Sequence, residues 1–328
     1  MAEQEGEAVP PSSEFVDGVA TRDVVLREDV WARIFLPCYE NRRRNEPVKP
    51  ASPGDRPPMP VVLYAHGGAY TIGQPNWRCF HGFCSTLSRR ANCICVSLAY
   101  RLAPAHRLPA AFEDGALALR WLLFQARLQH HDNQSPSFTC DPWLSPNLAD
   151  FSRLFLAGDS AGANIMLKVS MDAADSGLEN LTPVRIRGLL LIHPGFHCEE
   201  RKMTHLDERN RKRYHLALPI GETLDYPPVN PIHPSAPSLS PLSAYPHILI
   251  MVAEADSRYD MTIRFFEMVR AYCLHTDLFI SPGKGHQFHL KELNCSESND
   301  LYDRLANFIK VCGTTNEEIA SGRLQKQT

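Results

Sequence analysis

The feature that most constrains the fold of this chain is an alternation of short apolar runs with longer helical stretches. The later runs, such as 187–192 and 247–253, are continuously apolar and do not alternate with polar residues. Strands of this kind have both faces buried, as in a parallel sheet covered by helices. The runs at 22–27 and 31–36 alternate more, so we expect them to form an antiparallel edge. The order of elements therefore predicts an α/β protein with a doubly wound, mostly parallel sheet.

The predicted elements cover most of the chain between its polar ends. Strands are predicted at 22–27, 31–36, 61–66, 93–98, 153–157, 187–192, 247–253 and 277–281. Helices are predicted at 78–90, 109–126, 161–174, 260–274 and 299–311.

The domain organisation follows from composition along the chain. Residues 1–14 and 313–328 are polar, and we expect both segments to be disordered. Residues 15–312 are predicted to form one domain. Within it, residues 195–246 form a charged, Pro-studded excursion between two core strands, which is typical of a cap or lid.

Overall composition excludes several classes of function. The chain has 328 residues, of which 44% are hydrophobic, enough for one large core. A formal net charge of -3 argues against a nucleic-acid surface. The acidic start has no apolar segment like that of a signal peptide, and no window is long and apolar enough for a membrane helix. We therefore expect neither a nucleic-acid nor a membrane partner.

The cysteines favour a reducing compartment. Ten cysteines are scattered along the chain without the spacing of a small disulfide-rich protein. We expect reduced thiols and a cytoplasmic protein, with the nucleus as a second compartment. Metal-binding spacings such as Cys-x-x-Cys and His-Glu-x-x-His are absent from the sequence, so neither a metal nor an organic cofactor is expected.

The stretch "RLFLAGDSAGANIML" carries the clearest chemical signal. It places Ser160 in a Gly-x-Ser-x-Gly pattern where a predicted strand meets a predicted helix. A nucleophile elbow needs a sharp turn at that junction, with Gly158 and Gly162 letting strand and helix approach closely. The alternative is a simple helix N-cap by Ser160 or Asp159.

A second loop offers groups for an oxyanion hole. The run "LYAHGGAYTIG" ends a strand in His66-Gly67-Gly68, whose backbone N–H groups can turn toward one point. We expect Gly67 and Gly68 to donate to an oxyanion together with Ala161, the residue after the nucleophile. The alternative is a plain turn, and His66 is expected to be a structural hydrogen-bonder of the loop.

An acid and a base follow later strands. Asp256 comes just after the apolar run of "HILIMVAEAD", and His286 lies in the loop of "FISPGKGHQF". The order Ser160, Asp256, His286 is that of α/β-hydrolase triads. Glu254 and Asp260 remain alternatives for the acid, and His289 for the base.

In combination the motifs resemble a known family. The runs "HGGAY", "SLAYRLAPAHRLPAAFEDGALALRWL", "LAGDSAGANI" and "SPGKGHQF" are similar to those of hormone-sensitive-lipase-like α/β hydrolases, and among them the plant carboxylesterases. The resemblance implies an α/β-hydrolase fold with helices on both faces of the sheet. It also implies catalysis by Ser160, Asp256 and His286, with Gly67, Gly68 and Ala161 as oxyanion donors. Tyr100, Arg101 and Asp114 are expected to anchor loops behind the site.

Three further runs resemble one branch of this family. The runs "FHGFCSTLSRRANCICVS", "LTPVRIRGLLL" and "EER" are similar to a branch that contains a strigolactone-cleaving carboxylesterase. The resemblance implies a serine esterase for small carboxylic esters or lactones, including strigolactone-type butenolides. Related chains act instead as hormone receptors or as lyases, and these remain the alternatives.

The chain also departs from the family pattern. Ala69 and Gln287 stand where glycine is usual. The N-terminal segment and the excursion after Pro194 are shorter than in relatives, which implies a reduced cap over the site.

Overall fold

The computed structural model describes residues 6–38, 57–129, 139–200, 205–293 and 295–313. Its centre is an eight-stranded sheet with the strand order β1-β2-β4-β3-β5-β6-β7-β8. The strands are β1 (Val19–Arg27), β2 (Val30–Pro37), β3 (Met59–Ala65), β4 (Ile94–Ala99), β5 (Ala149–Asp159), β6 (Ile186–Ile192), β7 (Ile248–Ala253) and β8 (Thr276–Ser281). Every predicted strand is confirmed.

The strand directions agree with the apolar patterning. β2 pairs antiparallel with both β1 and β4, which confirms the antiparallel edge. The pairings from β4 through β3, β5, β6 and β7 to β8 are parallel. In β1, half-buried and exposed residues alternate over the last six positions, whereas β3, β4 and β7 are buried throughout. An edge strand meets solvent on one face, and a central parallel strand meets helices on both.

The helices lie on both faces of the sheet. They are α1 (Arg78–Ala91), α2 (Ala110–Leu128), α3 (Ala161–Asp175), α4 (His205–Ala217), α5 (Tyr259–Arg270) and α6 (Ser296–Cys312). One apolar cluster packs α2, α3 and α5 against the sheet, and a second packs α1 and α6 against the opposite face. This is the doubly wound arrangement that the sequence predicts.

Helix α4 is an addition to the prediction. It lies within the excursion 195–246, where the sequence predicts no helix. Its sequence, "HLDERNRKRYHLA", is rich in charges and has no apolar stripe of helical period. Tyr214 and Ala217, near its end, are buried against the domain, so tertiary contacts rather than periodicity hold the helix in place.

Part of the N-terminal segment corrects the predicted disorder of residues 1–14. The Val9 N–H donates to the Asn76 carbonyl at 2.7 Å, and the Arg78 N–H donates to the Glu7 carbonyl at 2.8 Å. The Arg33 guanidinium, which is buried, donates to the Val9 carbonyl at 2.7 Å. Backbone hydrogen bonds hold this segment despite its polar composition. Of the predicted C-terminal tail, residues 314–328 lie outside the described residues, as do residues 1–5.

Within the described ranges, helices long and apolar enough to span a bilayer are absent.

Candidate active site

Ser160 lies at the sharp turn between β5 and α3. Its backbone has φ 50° and ψ -122°, a conformation that a non-glycine residue adopts only under strain. A Cβ on Gly158 would come within 2.2 Å of the Gly162 carbonyl oxygen, and one on Gly162 within 2.0 Å of the Ala65 carbonyl oxygen. The two glycines therefore permit the close crossing of strand and helix. Ser160 makes no side-chain cap hydrogen bond, and the Asp159 carboxylate accepts from residues outside α3, so neither side chain caps the helix.

Three side chains form one hydrogen-bonded line at the carboxyl edge of the sheet. His286 Nε2 lies 2.8 Å from Ser160 Oγ, and His286 Nδ1 lies 2.5 Å from Asp256 Oδ2. The serine precedes α3, the aspartate follows β7, and the histidine follows β8. A carboxylate can only accept, so Nδ1 carries the proton and Nε2 is left to accept from the serine hydroxyl.

Asp256 is held in its ionised form. Its side chain is 1% exposed, and its Oδ1 accepts from the Arg258 N–H at 3.0 Å. Burial alone would raise the pKa of Asp256, but His286 and the Arg258 guanidinium outweigh it and hold the pKa well below its usual range. An ionised carboxylate beside Nδ1 fixes the orientation and tautomer of the His286 ring.

The alternative acids and base lie elsewhere. Glu254 Oε2 accepts from the Gly283 N–H at 2.7 Å, and Asp260 is in the first turn of α5. His289 is fully buried, and its pKa lies well below the ordinary value because of that burial. In the described part of the chain, neither of its ring nitrogens has a hydrogen-bond partner. The geometry brings only Asp256 and His286 into line with Ser160.

The loop after β3 differs in one respect from the expected oxyanion hole. The Gly67 N–H donates to Asp159 Oδ1 at 2.8 Å, so the expectation that it faces an oxyanion is not met. The amides of Gly68, Ala69 and Ala161 donate to no acceptor among the described residues. Ala161 begins α3, where helix N–H groups lack partners within the helix. The free amides therefore belong to Gly68, Ala69 and Ala161.

Asp159, the residue before Ser160, is a buried carboxylate held by uncharged donors. Besides the Gly67 N–H it accepts from the Tyr64 hydroxyl at 2.5 Å and from Gln287 Nε2. Burial raises the pKa of Asp159 although these hydrogen bonds oppose the rise. Asp159 thus connects β3, the loop after it and the loop that carries His286.

The residues expected to support the loops do so. His66 Nδ1 donates to the Gly67 carbonyl at 2.7 Å, and burial lowers the His66 pKa to about 4. The Tyr100 hydroxyl donates to the His66 carbonyl at 2.9 Å. Arg101 donates to the buried Asp114 carboxylate through Nε at 2.9 Å. His66 is accordingly a neutral structural residue at pH 7.

The excursion 195–246 is linked to Ser160 by hydrogen bonds through Gly195 and Tyr214 of α4. The Tyr214 hydroxyl donates to the Gly195 carbonyl at 2.7 Å, and the Gly195 N–H donates to the Ser160 carbonyl at 3.0 Å. The Tyr214 ring lies 4.3 Å from the His197 ring and 5.6 Å from the Tyr70 ring, centroid to centroid. Ser160 itself is only 5% exposed. Tyr214 therefore packs between two aromatic rings and is linked to the Ser160 backbone through Gly195.

Comparison with known proteins agrees with this geometry. The sequence profile of the family described as alpha/beta hydrolase fold matches residues 62–290. The chain belongs to this family. This α/β hydrolase is 32% identical over 316 residues to probable carboxylesterase 13 of Arabidopsis thaliana, covering 92% of the chain and 90% of the relative. It is 31% identical over 318 residues to 2-hydroxyisoflavanone dehydratase of Glycyrrhiza echinata, covering 92% and 88%.

A solved structure shares the fold of this α/β hydrolase. The carboxylesterase EstE1, cloned from a metagenomic library, superposes with a TM-score of 0.68 at 23% identity, covering 90% of each chain. Within the described residues, groups of three or more His, Cys, Asp or Glu that could hold a metal are absent.

Sequence reasoning missed several residues of the site. Arg258, Tyr214 and His193 carry no motif of their own, and the sequence around Asp159 suggests only a helix cap. Arg258 follows the acid by two residues, and a basic residue so close to a buried carboxylate is a usable signal. Tyr214 gave no signal, because nothing in its charged surroundings indicates burial.

Proposed function

We propose that the chain is a serine carboxylesterase that uses Ser160, His286 and Asp256. The observation that carries the proposal is the unbroken hydrogen-bonded line from Ser160 Oγ through both His286 nitrogens to Asp256 Oδ2. That line gives a serine hydroxyl a base, and gives the base an orienting carboxylate. The curated carboxylesterase relative supports the same reaction class.

The reaction proceeds through an acyl-enzyme. Ser160 Oγ attacks the ester carbonyl carbon while His286 Nε2 takes its proton, and Asp256 stabilises the resulting imidazolium. The negative charge on the carbonyl oxygen forms opposite the amides of Gly68 and Ala161, with Ala69 in the place expected for Gly67. His286 then protonates the leaving alcohol. Water, deprotonated by the same histidine, attacks the acyl carbon and releases the acid and Ser160.

A serine substitution tests this proposal. Ser160→Ala should lower kcat/KM for p-nitrophenyl acetate by at least about three orders of magnitude, because no acyl-enzyme can form. Ser170→Ala is the matched control, since Ser170 is buried on the same helix and its hydroxyl donates only to the Leu167 carbonyl at 2.7 Å. Equal activity in the two variants would contradict the proposal.

The site fits esters with a small acyl group. The Tyr214 ring, linked to Ser160 through Gly195, packs edge to face against Tyr70 and tilted against His197, which leaves little open space on this side of the serine. A long acyl chain gains about 0.8 kcal/mol per buried methylene only where a channel exists to bury it. We infer that the substrates carry short acyl groups and bulkier alcohol or lactone parts.

The small acyl site can be tested by varying the length of the acyl chain in the ester and the side chain at position 214. For acetate, butyrate, octanoate and palmitate esters, wild-type kcat/KM should be highest at acetate or butyrate. Tyr214→Ala, which removes the ring, should move the optimum to a longer ester, while Tyr214→Phe, which removes only the hydroxyl, should leave it in place. An optimum at octanoate or longer in the wild type would contradict the small acyl site.

The most specific form of the proposal is that the substrate is a strigolactone-type butenolide. Its support is the resemblance of the runs at 80–97 and 181–191 to the strigolactone-cleaving branch. Ser160-dependent turnover of a synthetic strigolactone would bear it out. Turnover of acetate esters without turnover of the butenolide would leave a general carboxylesterase.

A lyase reaction is the second candidate, because the relative from Glycyrrhiza echinata is named a dehydratase. Elimination needs a base such as His286 but adds no water to the product. Reaction in ¹⁸O-labelled water separates the two: hydrolysis places the label in the acid product, and elimination leaves the product unlabelled. A receptor without catalysis is disfavoured, since His286 is present and bonded to both of its partners.

A further inference from the structure

The residue after the catalytic histidine has an unusual conformation for its type. Gln287 has φ 55° and ψ 30°, in the left-handed region that favours glycine. A glutamine at this position is strained relative to glycine, so its side chain must contribute something that offsets the strain. Two hydrogen bonds identify that contribution.

Both polar ends of Gln287 are anchored in the site. Its N–H donates to His193 Nδ1 at 3.1 Å, and its side-chain Nε2 donates to Asp159 Oδ2. His193 is fully buried, and its pKa is lowered to about 3 by that burial, so it is a neutral acceptor at pH 7. Gln287 is thereby fixed on two sides, and His286 precedes it directly.

Asp159 is the shared anchor of three segments. Its Oδ2 accepts from Gln287, while its Oδ1 accepts from the Gly67 N–H at 2.8 Å and the Tyr64 hydroxyl at 2.5 Å. Asp159 is fully buried and forms no salt bridge among the described residues. A buried carboxylate without such a bridge depends on its hydrogen bonds, and losing one of them is costly.

We infer that Gln287 is a positioning residue that fixes His286 relative to the oxyanion loop through the carboxylate of Asp159. The inference rests on the proposed hydrolytic function. His286 and the loop of Gly67 and Gly68, here called the oxyanion loop, lie far apart in the sequence. Asp159, which immediately precedes Ser160 in the sequence, is hydrogen-bonded to both Gln287 and Gly67. Catalysis depends steeply on such geometry, since a misplacement of about 1 Å costs about 10²-fold in rate.

Two substitutions separate positioning from simple stability. Gln287→Ala should lower kcat for a short ester by about 10- to 100-fold and change KM by less than about twofold, because His286 and the oxyanion loop act on the transition state. The matched controls are Gln129→Ala and Gln129→Glu. Gln129 is also half-buried, its Nε2 donates to the carbonyls of Leu144 and Ala149 at 2.7 and 3.2 Å, and it lies far from the site. The Gln129 variants should keep the wild-type kcat.

Gln287→Glu adds a signature in the pH profile. At low pH the introduced carboxyl and Asp159 share one proton, so a donor to Asp159 remains. At higher pH both carboxyls ionise and repel each other, and the link is lost. The variant should therefore approach wild-type kcat/KM at low pH and lose activity as the pH rises, where the wild type gains activity. Gln129→Glu should show no such falling limb. A wild-type profile in Gln287→Glu, or wild-type kcat in Gln287→Ala, would overturn the inference.

A readout without turnover keeps this test separate from the proposed function. The Nδ1–H proton of His286, bonded to Asp256, gives a low-field NMR resonance that reports on the ring position. It should shift in both Gln287 variants and stay in place in both Gln129 variants, whether or not esters are hydrolysed. An unmoved resonance in the Gln287 variants contradicts the positioning role. If the resonance shifts in the Gln287 variants as expected but the wild type hydrolyses no ester, only the proposed function is contradicted.

Discussion

Arg258 and Asp256 form a buried ion pair at the end of β7. Arg258 Nη1 lies 3.4 Å from Asp256 Oδ1, and the two side chains are 3% and 1% exposed. Arg258 Nη2 also donates to His197 Nε2 at 2.9 Å. The carboxylate that orients His286 is therefore held from its other side by the Arg258 guanidinium.

Removing that arginine should destabilise the protein. Arg258→Met leaves Asp256 with one charged partner fewer in a buried site, which typically costs about 3–5 kcal/mol of unfolding free energy. Urea denaturation measures the loss. The control is Arg304→Met, because Arg304 pairs with Asp277 at 2.8 Å on the surface, where such a pair contributes less than about 1 kcal/mol. Similar losses in both variants would mean that the buried pair has no special weight.

The base can be tested against its nearest alternative. His286→Ala should lower kcat/KM by at least about three orders of magnitude, because no other group accepts the Ser160 proton. His289→Ala should keep most of the activity per folded molecule, since His289 touches neither Ser160 nor Asp256 among the described contacts. Initial rates on a short ester, with circular dichroism to verify folding, measure both. An inactive His289 variant beside an active His286 variant would reverse the assignment.

Two buried histidines predict how stability depends on pH. Burial lowers the pKa of His193 to about 3 and that of His66 to about 4, against about 6.5 in an unfolded chain. Below about pH 6.5 the unfolded state binds protons that the folded state does not, so stability falls as the pH falls. Between pH 7 and pH 5 His193 alone should contribute a loss of about 2 kcal/mol.

Substituting His193 isolates its contribution to the pH dependence of the unfolding free energy. Asparagine tolerates the positive φ of 43° at this position, and its Oδ1 can accept the Gln287 N–H in place of Nδ1. His193→Asn should lose about 2 kcal/mol less than wild type between pH 7 and pH 5, measured by urea denaturation at each pH. His106→Asn, at an exposed histidine in the loop after β4, is the control and should follow the wild type. An unchanged pH dependence in His193→Asn would contradict the linkage.

Much of the fold could be predicted because burial on both faces leaves a direct mark on sequence. Continuous apolar runs identified the parallel strands, and the turn chemistry of Gly158 and Gly162 identified the elbow between β5 and α3. Helix α4 could not be predicted, because its stability comes from the contacts of Tyr214, which the periodicity of the sequence does not show. The ordered placement of residues 6–14 could not be predicted either, because backbone hydrogen bonds rather than apolar side chains hold them.

The site was predicted to the level of its motifs. Strand ends place Ser160, Asp256 and His286 at one sheet edge, so their meeting follows from topology. Which amides of the loop after β3 remain free does not follow, because Asp159 takes the Gly67 N–H through a contact between residues 92 apart in sequence. The link from Gln287 to Asp159 spans 128 residues and has no local signal either.

The central claim is that Ser160 is the nucleophile that becomes acylated, and mass spectrometry of a trapped enzyme tests it most directly. A p-nitrophenyl phosphonate should add one phosphonyl group to the wild-type protein, and proteolysis should place it on the peptide containing Ser160. His286→Ala should react far more slowly, and Ser160→Ala should remain unmodified. A phosphonyl group on another residue, or one that persists in Ser160→Ala, would contradict the account.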